Sequence, residues 1–201
     1  MSDHIRLSLW FASQTKAQIL PRLARAIEVL PAEAQERGVR DFSVAALSWS
    51  EPPLLDEHAD EGVPVAAAIE PMREFVTDDC ACALQLGWML WTYEQGTWTQ
   101  TPRTLEFSAV GPLFADGGES EGHLMVDFGL DEAFLAELAP WNDDTRRHLQ
   151  ANIIQLLVYC HRVQEALAPT RRRLWSEVEA DWTQKLMRRL DSALDQPGAP
   201  A

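Results

Sequence analysis

Two thiols stand two residues apart in Cys80-Ala81-Cys82. A structural zinc needs four thiolate or imidazole ligands arranged as a tetrahedron. The remaining cysteine, Cys160, falls on the apolar stripe of a helix, where a free thiol behaves as a small hydrophobe. Its neighbour His161 points about 100° further round that helix, so the two do not converge on one ion. Asp78 and Asp79 precede Cys80. Their charge is expected to raise the thiol's pKa and to keep it unreactive.

The other chemistry-bearing residues are isolated. Asp127-Phe128-Gly129 matches a metal-holding kinase tripeptide. The chain lacks the glycine-rich loop and the catalytic-loop aspartate and asparagine that such chemistry also needs. The tripeptide reads instead as a strand that ends in glycine. No nucleophile elbow, HExxH helix, phosphate-binding loop or dinucleotide fingerprint occurs. Glu106, His123 and Asp127 fall on neighbouring strands, where they could approach one another, but acids on an outer sheet face are ordinarily solvated. The expectation is a protein that is not an enzyme, with no catalytic residue, no cofactor and no metal.

The elements that would position any site centre on residues 82–129. Leu84, Leu86, Trp88 and Leu90 alternate with Gln85, Gly87, Met89 and Trp91, the period of a strand with one buried face. A second strand runs through Leu105, Phe107, Ala109 and Leu113, and a third through Leu124, Val126 and Phe128. Glu94-Gln95-Gly96 and Asp116-Gly117-Gly118 are the turns between them. Gly87 and Gly111 mark a bulge or a close backbone approach.

Earlier in the chain, residues 5–12 and 42–49 read as strands. Residues 18–30 and 65–76 read as helices, the first capped by Ser13 and kinked by Pro21. Gly38 closes a short helical piece, and residues 54–62 read as an acidic loop. After Gly129 the period changes. Asp131 caps a short helix, and Asn142 or Asp143 caps a long one. Leu149, Ile153, Leu156, Leu157, Cys160, Val163 and Leu167 form its apolar stripe. Thr170 is read as the cap of a second long helix on which Leu174, Val178, Trp182, Leu186 and Leu190 face inward.

The fold class expected is α+β, a mixed or antiparallel sheet of about five strands with helices on one face and a C-terminal helical hairpin. Residues 1–195 form one domain and residues 196–201 a disordered tail.

Charge is the strongest remaining signal. The 201 residues carry a net charge of −14, which disfavours nucleic acid and anionic membranes and favours a basic protein partner. From Asp41 to Glu70 there are seven acids and no Lys or Arg, and from Glu106 to Asp144 ten acids and again no base. Residues 145–190 reverse the balance, with Arg171-Arg172-Arg173 at their centre. Free thiols, the absence of a basic-then-apolar start and the lack of a long apolar run point to a cytoplasmic protein.

These observations lead to an acidic protein-binding module. Its concrete form is a bacterial immunity protein that neutralises a toxin with a basic cleft. The expected contacts are Asp56, Glu57, Asp60, Glu61, Asp116, Glu119 and Glu121, with Trp98 as an aromatic anchor. The alternative is a small-ligand-binding protein or enzyme with a pocket between sheet and helices. A homo-oligomer, acidic loops against basic helices, is a third arrangement that the charges allow.

Overall fold

The computed structural model describes residues 3–31, 35–118, 120–137 and 139–195. Glu119 and the expected tail at 196–201 lie outside them. The elements are β1 (His4–Trp10), α1 (Lys16–Glu28), β2 (Gln35–Ala46), β3 (Leu55–Val63), α2 (Val65–Met72), a 3-10 turn (Arg73–Phe75), β4 (Cys80–Glu94), β5 (Thr97–Val110), β6 (Leu124–Leu130), α3 (Glu132–Leu135), α4 (Asp143–Leu167), β7 (Arg171–Trp175) and α5 (Trp182–Asp195). The strands form one seven-stranded sheet in the order β3-β2-β4-β5-β6-β1-β7. Every pairing is antiparallel.

The fold class is therefore α+β, with a larger sheet than expected. The two extra strands are its edges. β3 replaces the expected acidic loop: Asp41, Phe42, Ser43 and Val44 pair with His58, Glu57, Asp56 and Leu55. Polar residues on both of its faces hid the strand, since an edge strand buries little and is commonly charged to deter pairing with another chain. β7 replaces the first half of the expected C-terminal hairpin. Leu174 packs opposite Leu7 in the core, and Arg173 and Arg171 sit opposite Ser8 and Trp10. Leu174 is four residues from Val178, a spacing that imitates a helical stripe, but Val178 is exposed and α5 begins at Trp182. The arginines do not burden a helix start: Arg171 stacks on Trp10 and Arg173 on Trp175.

β1 lies between β6 and β7. Two further expectations change. Gly38 closes no helix; it sits inside β2 at φ 90°, where an added Cβ would meet the Val63 carbonyl oxygen at 2.5 Å. The register of β2 against β4 shifts on both sides of the neighbouring Val39. At the start of α1 the cap is Thr15 rather than Ser13, with the Gln18 side chain accepting the Thr15 N–H. No helix among the described residues is long and apolar enough to cross a membrane.

The main core lies on one side of the sheet. Leu84, Leu86, Trp88 and Leu90 of β4, Phe107 of β5 and Phe128 of β6 meet Leu149, Ile153, Leu156 and Tyr159 of α4. Trp88 touches the rings of Phe128, Phe134 and Tyr159. On the other side the strands show Asp41, Gln85, Glu106, Asp127 and Arg6 in one lateral row. Glu106 and Asp127 are thus cross-strand neighbours, but each is already engaged. Gln85 donates to Glu106, and Asp127 accepts from Arg6 and His4.

β4 is longer than its neighbour on one side. Among the described residues its pairing with β2 starts at Gln35 opposite Trp88 and does not extend to Trp91. The fully buried Asn152 of α4 takes over there. Its amide oxygen accepts the Trp91 N–H at 2.9 Å, and its amide nitrogen donates to the Trp91 carbonyl at 2.8 Å and to the Ala133 carbonyl at 2.7 Å. Gln155 donates to the Met89 carbonyl, one turn along the same helix. The side-chain amide thus pairs with Trp91 as a further strand would.

Replacing Asn152 by Leu keeps the volume but leaves three backbone groups without that partner. Each such group costs about 1–3 kcal/mol, so Asn152→Leu should lower unfolding stability by about 3 kcal/mol or more in urea titration. A loss under about 1 kcal/mol would show that water replaces the amide at no cost.

Candidate functional site

The expected contact residues divide between two places. Asp56, Glu57, Asp60 and Glu61 lie along β3, all exposed. His58 sits among them and joins Asp41 at 2.6 Å and Asp60 at 3.2 Å. Asp116 and Glu121 lie in the β5–β6 connection. Asp116 is not a free charge, because its carboxylate accepts the Trp49 N–H at 2.8 Å. Trp98 is far from a bare anchor. Its ring stacks on His148 and contacts Tyr93, and its indole N–H donates to the Thr145 hydroxyl at 3.4 Å.

Asp116 leads to a feature that charge alone did not mark. Three segments meet at one end of the sheet: residues 47–54 after β2, 76–79 before β4 and 111–118 after β5. Backbone bonds tie them together. Leu47 N–H donates to Asp79, Leu113 N–H to Asp78 and Ala115 N–H to Leu47. Gly111 permits the approach, since a Cβ there would stand 2.3 Å from the Asp78 carbonyl oxygen. The expected close approach at Gly111 is therefore real, although the residue lies just beyond β5 rather than within a strand.

Four large apolar side chains emerge from this junction into solvent: Leu113 at 72% exposure, Leu47 at 56%, Leu54 at 48% and Trp49 at 42%. Beneath them Phe114 packs with Ala45, Ala81 and Val110, and Trp49 stands edge-on to Phe114. The same three segments carry Glu51, Asp78, Asp79 and Asp116 and no Lys or Arg. Leu47 has φ 68°. The left-handed region costs a leucine about 1–2 kcal/mol relative to right-handed backbone. Glycine would avoid that cost. The fold thus holds a leucine in an unfavourable conformation and then leaves its side chain outside the core.

A cavity of about 720 Å³ opens elsewhere, between the far end of the β4–β5 hairpin and α3. Leu90, Trp98, Phe128 and Leu135 are among its walls, with Asp131, Arg103 and His4 as polar members. The sequence places Asp131 as a helix cap. It precedes α3, yet its side chain makes no capping bond there; it accepts the Asp3 N–H at 3.2 Å instead.

The thiols behave differently from the expectation. Cys80 and Cys82 are fully buried on one face of β4. A hydrogen bond from Cys82 holds the Cys80 thiol down to about 7, aided by the Thr77 N–H at 3.4 Å. Asp79 does push the other way, as its charge must, but as the weakest influence. The Cys82 thiol is pushed up by the same bond and by burial. Burial keeps both from reagents. Among the described residues no three His, Cys, Asp or Glu side chains gather as a metal site would require. His123 does not join Glu106 and Asp127; its Nδ1 accepts the Phe11 N–H at 3.0 Å.

The β3 acids can be tested through His58. Bonds from the ring to Asp41, then the charge of Asp41, raise its pKa above the ordinary 6.5. The tie is complete below 6.5 and is lost as pH rises through the raised folded value. A proton NMR titration should place the His58 midpoint above 6.5, and Asp41→Asn should bring it back down. An unshifted midpoint would mean that the pair does not persist in solution. No protein family, no curated protein and no solved structure matches this chain.

Proposed function

We propose that this protein is a binding module for a basic protein, and that the apolar end formed by residues 47–54, 76–79 and 111–118 is its contact surface. The observation that carries this reading is Leu47. The left-handed backbone of Leu47 serves its bonds to Asp79 and Ala115, but the side chain stays 56% exposed, and a partner that buries the rest gains about 1 kcal/mol, roughly half the value for a fully exposed leucine. Leu113, Leu54 and Trp49 surround the same junction and supply the desolvated centre that an interface needs. Glu51, Asp78, Asp79 and Asp116 supply a rim of one sign. Asp56 and Glu57 continue that rim on β3, with Asp60 and Glu61 further along the edge and Glu121 in the β5–β6 connection. The partner is thus a surface that presents apolar side chains among Lys or Arg.

The narrower form of the proposal is an immunity protein that covers the basic cleft of a toxin. It draws its support from the acidity, the small size and the missing catalytic motifs rather than from any relative.

Rim and centre should separate in kinetics. Capture of a partner from lysate would count in favour only if the captured protein is basic and its binding responds as follows. Glu51→Gln with Asp78→Asn and Asp79→Asn should slow association and flatten its salt dependence, with dissociation little changed. Trp49→Ala or Leu113→Ala should speed dissociation about 30-fold, the effect of about 2 kcal/mol. Leu47→Gly is the sharpest test. It removes the side chain while relieving the backbone, so thermal stability should hold or rise and binding should fall. Unchanged binding in Leu47→Gly and Leu113→Ala would sink the proposal.

A further inference from the structure

We propose that the cavity between the β4–β5 hairpin and α3 binds an organic cation, a small molecule with an ammonium group on an apolar body. This site is separate from the protein-binding end and does not depend on it. Its volume of about 720 Å³ suits a small ligand. Leu90, Phe128 and Leu135 offer apolar wall, and Trp91, Tyr93 and Trp98 line it as well, with the rings of Trp91 and Trp98 also packed on His148; aromatic faces attract cations.

The charges of the wall do not balance. Arg103 is already paired with Glu94 at 3.1 Å, and His4 with Asp127 at 3.0 Å. The other acids of the wall are Asp131, Glu132 and Glu137. Asp131 is 7% exposed, and its one hydrogen bond described above comes from the Asp3 N–H. Among the described residues no Lys, Arg or His forms an ion pair with it. Lys185 acts on it only from a distance, with its ammonium over the Trp182 ring at 4.0 Å. Burial raises the Asp131 pKa; the Asp3 N–H and Lys185 oppose that rise, and Glu137 and Asp3 add to it. A carboxylate in such a place is costly until a cation meets it. A ligand ammonium at Asp131, with Glu137 at the exposed rim, would supply the missing charge.

Octylammonium, octanol and octanoate share a chain and differ in charge. Their binding can be followed by tryptophan fluorescence, because Trp91 and Trp98 line the cavity. Octylammonium should bind saturably and at least about 10-fold more tightly than octanol, the effect of a charge-assisted bond, with octanoate weakest. Asp131→Asn should cost the cation about 10-fold or more and leave octanol unchanged. This variant should fold, because the amide oxygen still accepts the Asp3 N–H. The sign of its stability effect is an independent check. A raised folded pKa means that protonated Asp131 favours the fold and that this support is lost as pH rises through the raised value. Asp131→Asn should therefore melt at or above the wild-type temperature at neutral pH, with the difference closing in acid. Glu137→Lys, an exposed change, should also weaken the cation. Equal affinity for the three probes, no saturable binding of octylammonium, or wild-type cation binding by both variants would overturn the proposal.

Discussion

The amide of Asn152 answers a constraint that shapes half of the molecule. A strand must satisfy its N–H and C=O groups along its whole length. β4 spans 15 residues, and among the described residues its pairing with β2 reaches only to Trp88. On the far side of the hairpin, β5 pairs with β6 over Glu106–Ala109. The β4–β5 hairpin therefore overshoots the sheet as a two-stranded ribbon, which is marginal without something packed on it. Asn152 and Gln155 bring α4 against the free edge, and the third bond of Asn152 fixes α3 through Ala133. The aromatic group of Trp91, Trp98 and His148 follows from that docking. So does the cavity, because α3 is a short helix spanning a ribbon too long for it to cover.

The opposite end obeys a different rule. There the strands stop together, and three connections must pack on one another with few side chains to spare. Backbone does the work: Leu47, Ala115, Leu113, Asp78 and Asp79 bond through their main chains, and Gly111 allows contact that any side chain would block. A junction built from backbone leaves its side chains free. That is how Leu47, Leu54 and Leu113 come to be outside, with Phe114 buried among them.

The interior was legible in the sequence and the edges were not. Alternation in β4 and β6 and the three-four spacing of α4 are strong signals because both elements bury a continuous face. β3 buries almost nothing, so its alternation carried no contrast between faces. β7 turns Leu174 fully inward, and a single residue has no period. Site residues were harder still. An exposed leucine and a buried one look alike in a sequence, so Leu47 and Leu113 were invisible, Leu113 being read as part of a strand. Asp131 resembled a cap because it precedes a helix; the bond that occupies it comes from Asp3, 128 residues away. Glycine was the informative residue at the loop end, since Gly111 declared a close approach before its partner was known.

The charge map gains its meaning from where the arginines go. Acidic loops and a basic C-terminal third could neutralise one another within the chain. At the start of α4 they do, where Arg146 and Arg147 pair with Asp143 and Asp144, but the β7 arginines turn elsewhere. Arg171 and Arg173 spend their charge on the rings of Trp10 and Trp175, and Arg172 and Arg173 donate to the carbonyls of Cys160 and Ala180. Those arginines stand on β7, and the acids of β3 stand on the other edge of a seven-stranded sheet. At about 4.8 Å between neighbouring strands, the two edges are separated by roughly 29 Å, well beyond the screening length of about 8 Å in physiological salt. The acidic edge and the acidic rim of the loop end therefore keep a field that no base of the β7 edge cancels, and a cation brought by a partner is what would lower its energy.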